Sequence, residues 1–229
     1  VYDLGPQFPG GFNSAAAVVL PCLRNRGRQR VDVLVLSHDD NDHTGGASRF
    51  VEQVRVDAIL RCQQKPQLGF SGSRCHDAAP WRWDGVSFRF LRTNLAPRND
   101  NDASCILLLE HAGGRVLIGG DITARVETAL LGEYGELLSA DLATMPHHGS
   151  STSSSPAFVR RVNARQVVVS AGWKSRYGHP REEILQRWRD SGAAIDNTAE
   201  SGAIRITWDG RGGRTLSRYR QEARRFWHR

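Results

Sequence analysis

The chain has 229 residues, with 31 Lys and Arg against 24 Asp and Glu, a formal net charge of +7 and a sequence pI near 9.8. At 39% hydrophobic and 24% charged residues it has the composition of a folded domain with a complete core, not of a disordered or collagenous chain. No apolar run approaches the ~18–20 residues of a membrane helix, and the net positive charge favours a polyanionic partner, either nucleic acid or an anionic membrane surface, with an arginine bias from GC-rich coding as the alternative.

Val1-Tyr2-Asp3-Leu4 reads as a strand in mid-domain, with Asp3 at its exit and Gly5-Pro6 ending it. The expectation is therefore a fragment excised from a larger parent. Asn13 can cap a helix running to about Arg26, with Ala16, Val19, Leu20 and Leu23 on one face and Gly27 as its stop. Val31 to Ser37 is a buried strand, Gly46 to Gln53 a short helix, and Val54 to Arg61 a second strand. An irregular Gln/Gly/Ser-rich loop runs from Cys62 to Pro80. Trp81 to Gly85 reads as a turn into the strand Val86 to Leu91, its aromatics packing a sheet edge, with stacking on bases as an alternative the spacing does not support.

Asn99, Asp100, Asn101 and Asp102 make an acidic and amide loop ahead of the strand Ser104 to Glu110. Gly113-Gly114 turns a hairpin into Val116 to Gly119. Ile122 to Leu131 is a helix with Val126, Ala129 and Leu130 inward, and Asp141 to Met145 is a short strand. Ser155 caps, and Pro156 starts, a helix to about Val162. Val167 to Ala171 is a strand, and Pro180 starts a helix with Glu182 and Glu183 in its first turn. Ala203 to Trp208 is a late strand, followed by a turn at 209–213 and a basic, aromatic tail. Alternating strands and helices around central hairpins predict an α+β fold. Two mixed β-sheets flanked by helices would form an αβ/βα sandwich, one domain over 1–229.

Of the four cysteines, Cys22 falls in the helix pattern and Cys105 in a strand pattern, and both read as core residues. Cys62 and Cys75 flank the irregular loop. A bridge between them would contribute about 3 kcal/mol through loop closure and imply an oxidising compartment; a reduced pair is the alternative.

The chemistry concentrates after the first buried strand, where His38, Asp40, Asp42 and His43 crowd into Ser37 to Gly46. An acidic capping turn would explain the aspartates but not the flanking histidines. Asp121 in Gly119-Gly120-Asp121, His147 and His148 in Pro146-His147-His148-Gly149-Ser150, and His179 in Tyr177-Gly178-His179-Pro180 each follow a predicted strand too. A lone Asp after Gly-Gly is usually a turn residue. Several such groups at the ends of core strands can meet on one edge and cage metal ions.

The run His38-x-Asp40-x-Asp42-His43 resembles the His-x-His-x-Asp-His signature of the metallo-β-lactamase fold hydrolases, with Asp40 in place of the second histidine. That exchange shifts one site toward oxygen ligation and harder ions, so Mn²⁺ or Mg²⁺ stand beside Zn²⁺. Within that superfamily, Leu36 to Gly46, Asn101 to Cys105, Leu117 to Asp121, Pro146 to Ser150 and Tyr177 to Pro180 resemble the C-terminal hydrolase-like domain of the ComEC family of DNA-uptake channel proteins.

The resemblance implies two divalent metal ions, Mn or Zn. His38 and Asp40 would hold the first, Asp42, His43 and His147 the second, and Asp121 would bridge them. Asn101 or Asp102 would substitute for an absent third histidine, and a single-metal site is the alternative. Asp3 would orient the metal loop from behind. The activity implied is phosphodiester hydrolysis by metal-activated water, with Asp42 at the catalytic centre. His148 and His179 would bind the phosphate or protonate the leaving group. The hydroxyls of the serine-rich run Ser150 to Ser155, Ser150 and Ser151 first among them, would donate to substrate or simply form a helix cap and loop, and a helix starting at Pro180 would point N–H groups at an anion beside His179.

The function so implied is a metal-dependent DNA nuclease that degrades the non-imported strand during natural transformation. Its partners would be DNA and the membrane channel portion of the same parent. The domain itself would be soluble and monomeric, in the periplasm or at the outer face of the inner membrane. A small-molecule ester, lactone or phosphocholine hydrolase, and a non-catalytic DNA-guiding module with a degenerate metal site, are the other readings. An enclosed pocket would favour the former and metal-independent DNA binding the latter.

Overall fold

The computed structural model describes residues 1–62, 69, 71–209 and 213–225. Most of the Gln-rich loop after Cys62, the tip of the 209–213 turn and the aromatic end of the tail lie outside the described residues. The chain divides into two compact units, Val1–Ala79 with Ala96–Cys105, and Pro80–Leu95 with Ile106–Arg229.

The first unit contains α1 (Leu20–Asn25), β1 (Arg30–Leu36), α2 (Asn41–Thr44), α3 (Ala47–Gln53), β2 (Arg55–Arg61) and β3 (Ser73–Arg74). The three strands form a parallel sheet in sequence order, and α2 and α3 supply the crossover that parallel pairing needs. Val31, Leu34 and Leu36 pack with Leu4, Leu20, Ala47 and Phe50 into the unit's core. Val1 to Leu4 runs beside β1, Asp3 N–H donating to Val35 O at 2.8 Å, but it makes a single bridge at Tyr2 instead of a full strand. Asp3 and Gly5, at φ 55° and 72°, turn the chain away.

Asn13 begins the first helix as expected, its Oδ1 accepting from Ala16 N–H at 2.8 Å. The opening turn, Ala15–Val19, is a π-turn, and the wider spacing buries Ala15 and Leu20 while leaving Ala16 exposed. Cys22 is exposed beside Arg26 and is not a core residue.

Cys75 is bonded to Cys105, and Cys62 is a buried free thiol, so the Cys62–Cys75 pairing is overturned. The reason is topological. The strand expected from Ser104 starts at Ile106, leaving Cys105 just outside it. Its N–H donates to Ser37 O at 2.9 Å and its carbonyl accepts the Tyr2 hydroxyl at 2.6 Å, which holds it with its Cα 6.0 Å from that of Cys75.

The second unit runs β4 (Trp81–Trp83), β5 (Val86–Leu91), β6 (Ile106–His111), β7 (Gly114–Ile118), α4 (Ala124–Tyr134), β8 (Leu142–Thr144), α5 (Pro156–Val162), β9 (Gln166–Val169), α6 (Glu182–Asp190), β10 (Ala194–Asn197) and α7 (Thr198–Ser201). An antiparallel ribbon of β11 (Ile204–Trp208) and β12 (Arg214–Arg218), then α8 (Tyr219–Glu222), ends the described chain. The strands β4 to β10 form one mixed sheet in sequence order, antiparallel from β4 to β7 and parallel from β7 to β10.

Trp81 to Trp83 is itself an edge strand, and the turn is Asp84-Gly85, both at positive φ as a two-residue hairpin requires. The aromatics do pack the sheet edge: Trp81 stacks on Phe88 with ring centroids 5.0 Å apart. Val126 and Leu130 of α4, Phe158 and Val162 of α5, and Ile184 and Trp188 of α6 bury against Leu108, Leu117, Val167 and Val169. Helix α6 begins at Glu182, so Pro180 precedes it and the helix terminus expected beside His179 is displaced along the chain. Part of the segment read as a basic tail is β12 and α8. Among the described residues no helix is long and apolar enough to cross a membrane.

Replacing Cys75 and Cys105 together by serine should lower the unfolding free energy by about 3.5 kcal/mol, the loop entropy regained at a sequence separation of 30, read as a fall in the urea midpoint. In thiol labelling, native protein should react at exposed Cys22, and at buried Cys62 only after unfolding.

Candidate metal centre

In the first unit the ligand types sit where β1 ends. His38 is fully buried, Asp40 and Asp42 are exposed, and His43 is buried in α2. One carboxylate organises them. Asp3 Oδ1 accepts Ser37 N–H at 2.7 Å, and Oδ2 accepts both the Ser37 hydroxyl and His43 Nδ1–H, each at 2.7 Å. Because the Ser37 hydroxyl donates to Asp3, its oxygen accepts from His38 Nδ1–H at 3.0 Å. The network therefore fixes both imidazoles with Nδ1 protonated and Nε2 carrying the lone pair, the form a histidine takes when it ligates through Nε2. His38 Nε2 lies 3.5 Å from Asp40 Oδ2, and the two rings are 4.0 Å apart. Beside them Asp39 forms a buried ion pair with Arg61 of β2 at 3.0 Å. Nothing in the sequence pattern singled out that pair.

Asn101 and Asp102 occupy a 3-10 turn, where Asp102 Oδ2 accepts Arg98 N–H at 3.1 Å and Asp102 N–H donates to Asn99 Oδ1 at 2.9 Å. These bonds give Asp102 a role within its own loop.

In the second unit Asp121 follows β7 and is buried. Its Oδ2 lies 3.8 Å from His147 Nε2 and 3.5 Å from His148 Nε2. His148 Nδ1–H donates to Ser170 O at 2.7 Å, which leaves its Nε2 lone pair toward the carboxylate. A lone pair facing a carboxylate at that distance is unfavourable unless a cation or proton lies between. His147 Nδ1 is 3.0 Å from the Thr152 hydroxyl, itself 3.0 Å from the Ser150 hydroxyl. Thr152 falls in the run whose hydroxyls were expected at substrate, and it is placed against a histidine ring instead. His148, read as lacking a ligand role, shares one carboxylate with His147.

His147 and His148 both adopt the left-handed conformation, at φ 50° and 52°. His147 N–H to Gly120 O at 3.1 Å and Ser150 N–H to His147 O at 2.8 Å hold that backbone. Gly149, at φ 84°, has no room for a side chain: a Cβ there would lie 2.6 Å from Pro180 Cβ. Its carbonyl accepts Arg181 N–H at 2.9 Å, which brings the His179 segment against the His147 segment, ring centroids 6.0 Å apart.

The serine run is mostly committed to structure. Ser150 is buried, Ser153 donates to Pro146 O at 2.9 Å, and the Ser155 hydroxyl caps α5 by accepting from Phe158 N–H. The buried Glu127 carboxylate accepts the N–H groups of Ser154 and Ser155. Burial pushes the Glu127 carboxyl above the ordinary range, against those hydrogen bonds. Ser151 remains exposed.

Burial chiefly, then repulsion from His147, Arg181 and His148, holds His179 below the ordinary histidine value. Its Nδ1 is buried with no hydrogen-bond partner. At neutral pH it is a neutral ring offering one N–H and one lone pair.

The donor chemistry in each unit, imidazole nitrogens locked by their other nitrogen together with carboxylates, suits divalent metal ions of the Mn²⁺ to Zn²⁺ range. A family model described as the metallo-beta-lactamase superfamily matches residues 9–173. The chain belongs to the metallo-β-lactamase superfamily. The superfamily match takes in His38 through His148 and stops short of His179. The parallel sheet of the first unit and the mixed sheet of the second, flanked by helices, are those of the metallo-β-lactamase fold, a metal-dependent hydrolase scaffold.

Among curated relatives, the chain is 36% identical over 212 residues to "Competence protein ComA" of Neisseria gonorrhoeae, covering 92% of this chain and 30% of that protein. It is 31% identical over 209 residues to "Recombination protein 2" of Haemophilus influenzae, covering 91% and 26%. It is 24% identical over 224 residues to "ComE operon protein 3" of Bacillus subtilis, covering 91% and 28%. The chain thus spans less than a third of the length of these relatives.

Asp3→Ala should lower metal affinity about 10- to 100-fold, the usual effect of removing the group that orients a ligating histidine, measured by competition with a chromogenic chelator. In metal-free protein the His179 ring should titrate below 6.5 in histidine NMR. The unfolded chain then takes up that proton first, so this residue makes stability decline as pH drops below 6.5.

Proposed function

We propose that these histidine and aspartate donors hold divalent metal ions, two in number, and that the chain is a metal-dependent DNA nuclease acting in DNA uptake. The observation that carries this reading is the similarity to competence proteins over about nine-tenths of the chain, in a superfamily match that includes the histidine and aspartate segments. His38, Asp40, Asp42, His43, Asp121 and His147 would hold the ions, with His148 added because its Nε2 faces the same carboxylate as that of His147. Ions bound there supply neutralisation of phosphodiester charge and acidity for the attacking water.

The remaining roles fall to the chain's own groups. Asp3 and Ser37 keep His38 and His43 in one tautomer. His179, held neutral, donates a ring N–H to a phosphate oxygen. Its lowered proton affinity leaves little imidazolium at neutral pH, so protonating the leaving group is the poorer role.

The Cys75–Cys105 bond supports an oxidising location, the periplasm or the outer face of the inner membrane. The net charge of +7 supports a polyanionic substrate. In that setting the chain would degrade the strand that is not imported, beside the channel portion of its parent.

With Mn²⁺ or Zn²⁺ the purified chain should cleave labelled DNA, and Asp121→Ala should lower the rate at least about 100-fold while retaining the fold by circular dichroism. Intact DNA with every metal tested, or equal cleavage by wild type and variant, would end the reading.

A further inference from the structure

Between β9 and α6 the chain leaves the sheet in a loop, Gly172-Trp173-Lys174-Ser175-Arg176-Tyr177-Gly178, that packs no core. Its feet are fixed. Ala171 N–H donates to the Thr198 hydroxyl oxygen at 2.9 Å and Ala171 O accepts that hydroxyl at 3.0 Å. At the other end Arg181 N–H donates to Gly149 O at 2.9 Å. The apex is braced too: Gly178 N–H donates to Ser175 O at 2.9 Å, and the Arg176 guanidinium donates to the Tyr177 hydroxyl at 2.6 Å.

Yet its two aromatic side chains stand in water, Trp173 at 66% and Tyr177 at 55% exposure. Lys174 and Arg176 lie between them in the sequence, and no acidic residue occurs from Gly172 to Arg181. The Tyr177 ring lies 6.2 Å from the His179 ring with planes only 18° apart, and His179 adjoins His147.

We propose that this loop is a base-stacking platform for single-stranded DNA. Bases stack on Trp173 and Tyr177 while Lys174 and Arg176 hold the phosphates, and the strand is led toward His179. The proposal rests on the nuclease reading and gives it a strand preference. Exposed aromatic rings accept only bases already free of a duplex, and the two cations between them match the backbone charge. The Arg176 guanidinium carbon lies 4.8 Å over the Tyr177 ring, so a base on Tyr177 takes the place of that guanidinium, frees it for the phosphate, and lies nearly parallel to the His179 ring.

The test uses phosphorothioate oligonucleotides, so that binding is read apart from cleavage, and compares a thymidine single strand, an abasic strand of equal length and a duplex. By fluorescence anisotropy the full chain should prefer the thymidine strand. Trp173→Ala and Tyr177→Ala should each weaken that binding about tenfold, the scale of one lost stacked base, leaving abasic-strand binding unchanged. Trp173→Phe and Tyr177→Phe should retain it. Both residues are exposed, so melting temperatures should not move.

Equal affinity of wild type and the double alanine variant for the thymidine strand would overturn the platform. So would a loss confined to vesicles of anionic lipid, which would make the loop a membrane contact. Failure of cleavage with binding and its variant effects intact would overturn the nuclease reading alone.

Discussion

The carboxylate of Asp3 ties together the end of β1 and the metal loop of the first unit. It binds the backbone N–H and hydroxyl of Ser37 and the imidazole of His43 at once. A residue near the beginning of the sequence therefore sets the end of β1, and through Ser37 the tautomer of His38. The strand pairing that brings it there is minimal, a bridge at Tyr2, so the side chain and the bridge must hold each other. Leu4 N–H to His43 O at 2.9 Å closes the arrangement from the backbone side. The second unit solves the same problem with neutral groups, Thr152 and the Ser170 carbonyl, each occupying Nδ1 of a histidine.

Much of this was legible in the sequence because buried strands announce themselves and so do polar residues placed at their ends. His38, Asp121 and His147 each follow an apolar run, and each lies just after a strand. The Ser155-Pro156 start of α5 follows from local chemistry and appears as read, and the expected hairpin is present with its two-residue turn at Ala112-Gly113, one position before Gly113-Gly114. What was not legible depends on distance along the chain. Cys75 pairs with Cys105 because Ser37 and Tyr2 dock the latter, and neither contact has a local signature. The π-turn at Ala15–Val19 shifts the buried face of the first helix by about one residue, beyond what a 3.6-residue period can forecast.

The serine run shows a related ambiguity. Hydroxyl-rich segments suit both anion binding and the capping of exposed backbone. Here Glu127, buried on α4, takes two of the run's N–H groups, and Trp188 Nε1 donates to the Ser154 hydroxyl at 3.1 Å. The segment clamps α4, α5 and α6 together next to the histidines. Glutamate within an apolar helix face was the overlooked sign, since such a carboxylate must find donors when buried.

The left-handed backbone at His147 and His148 bears on how substitutions there should be interpreted. Histidine, asparagine and glycine tolerate that region of conformational space, whereas branched residues are strained in it. A library randomised at these two positions would thus be filtered twice, once by ring chemistry and once by handedness. Asparagine, which fits the handedness without supplying an imidazole, separates those filters; a valine that fails there reports on geometry before it reports on catalysis.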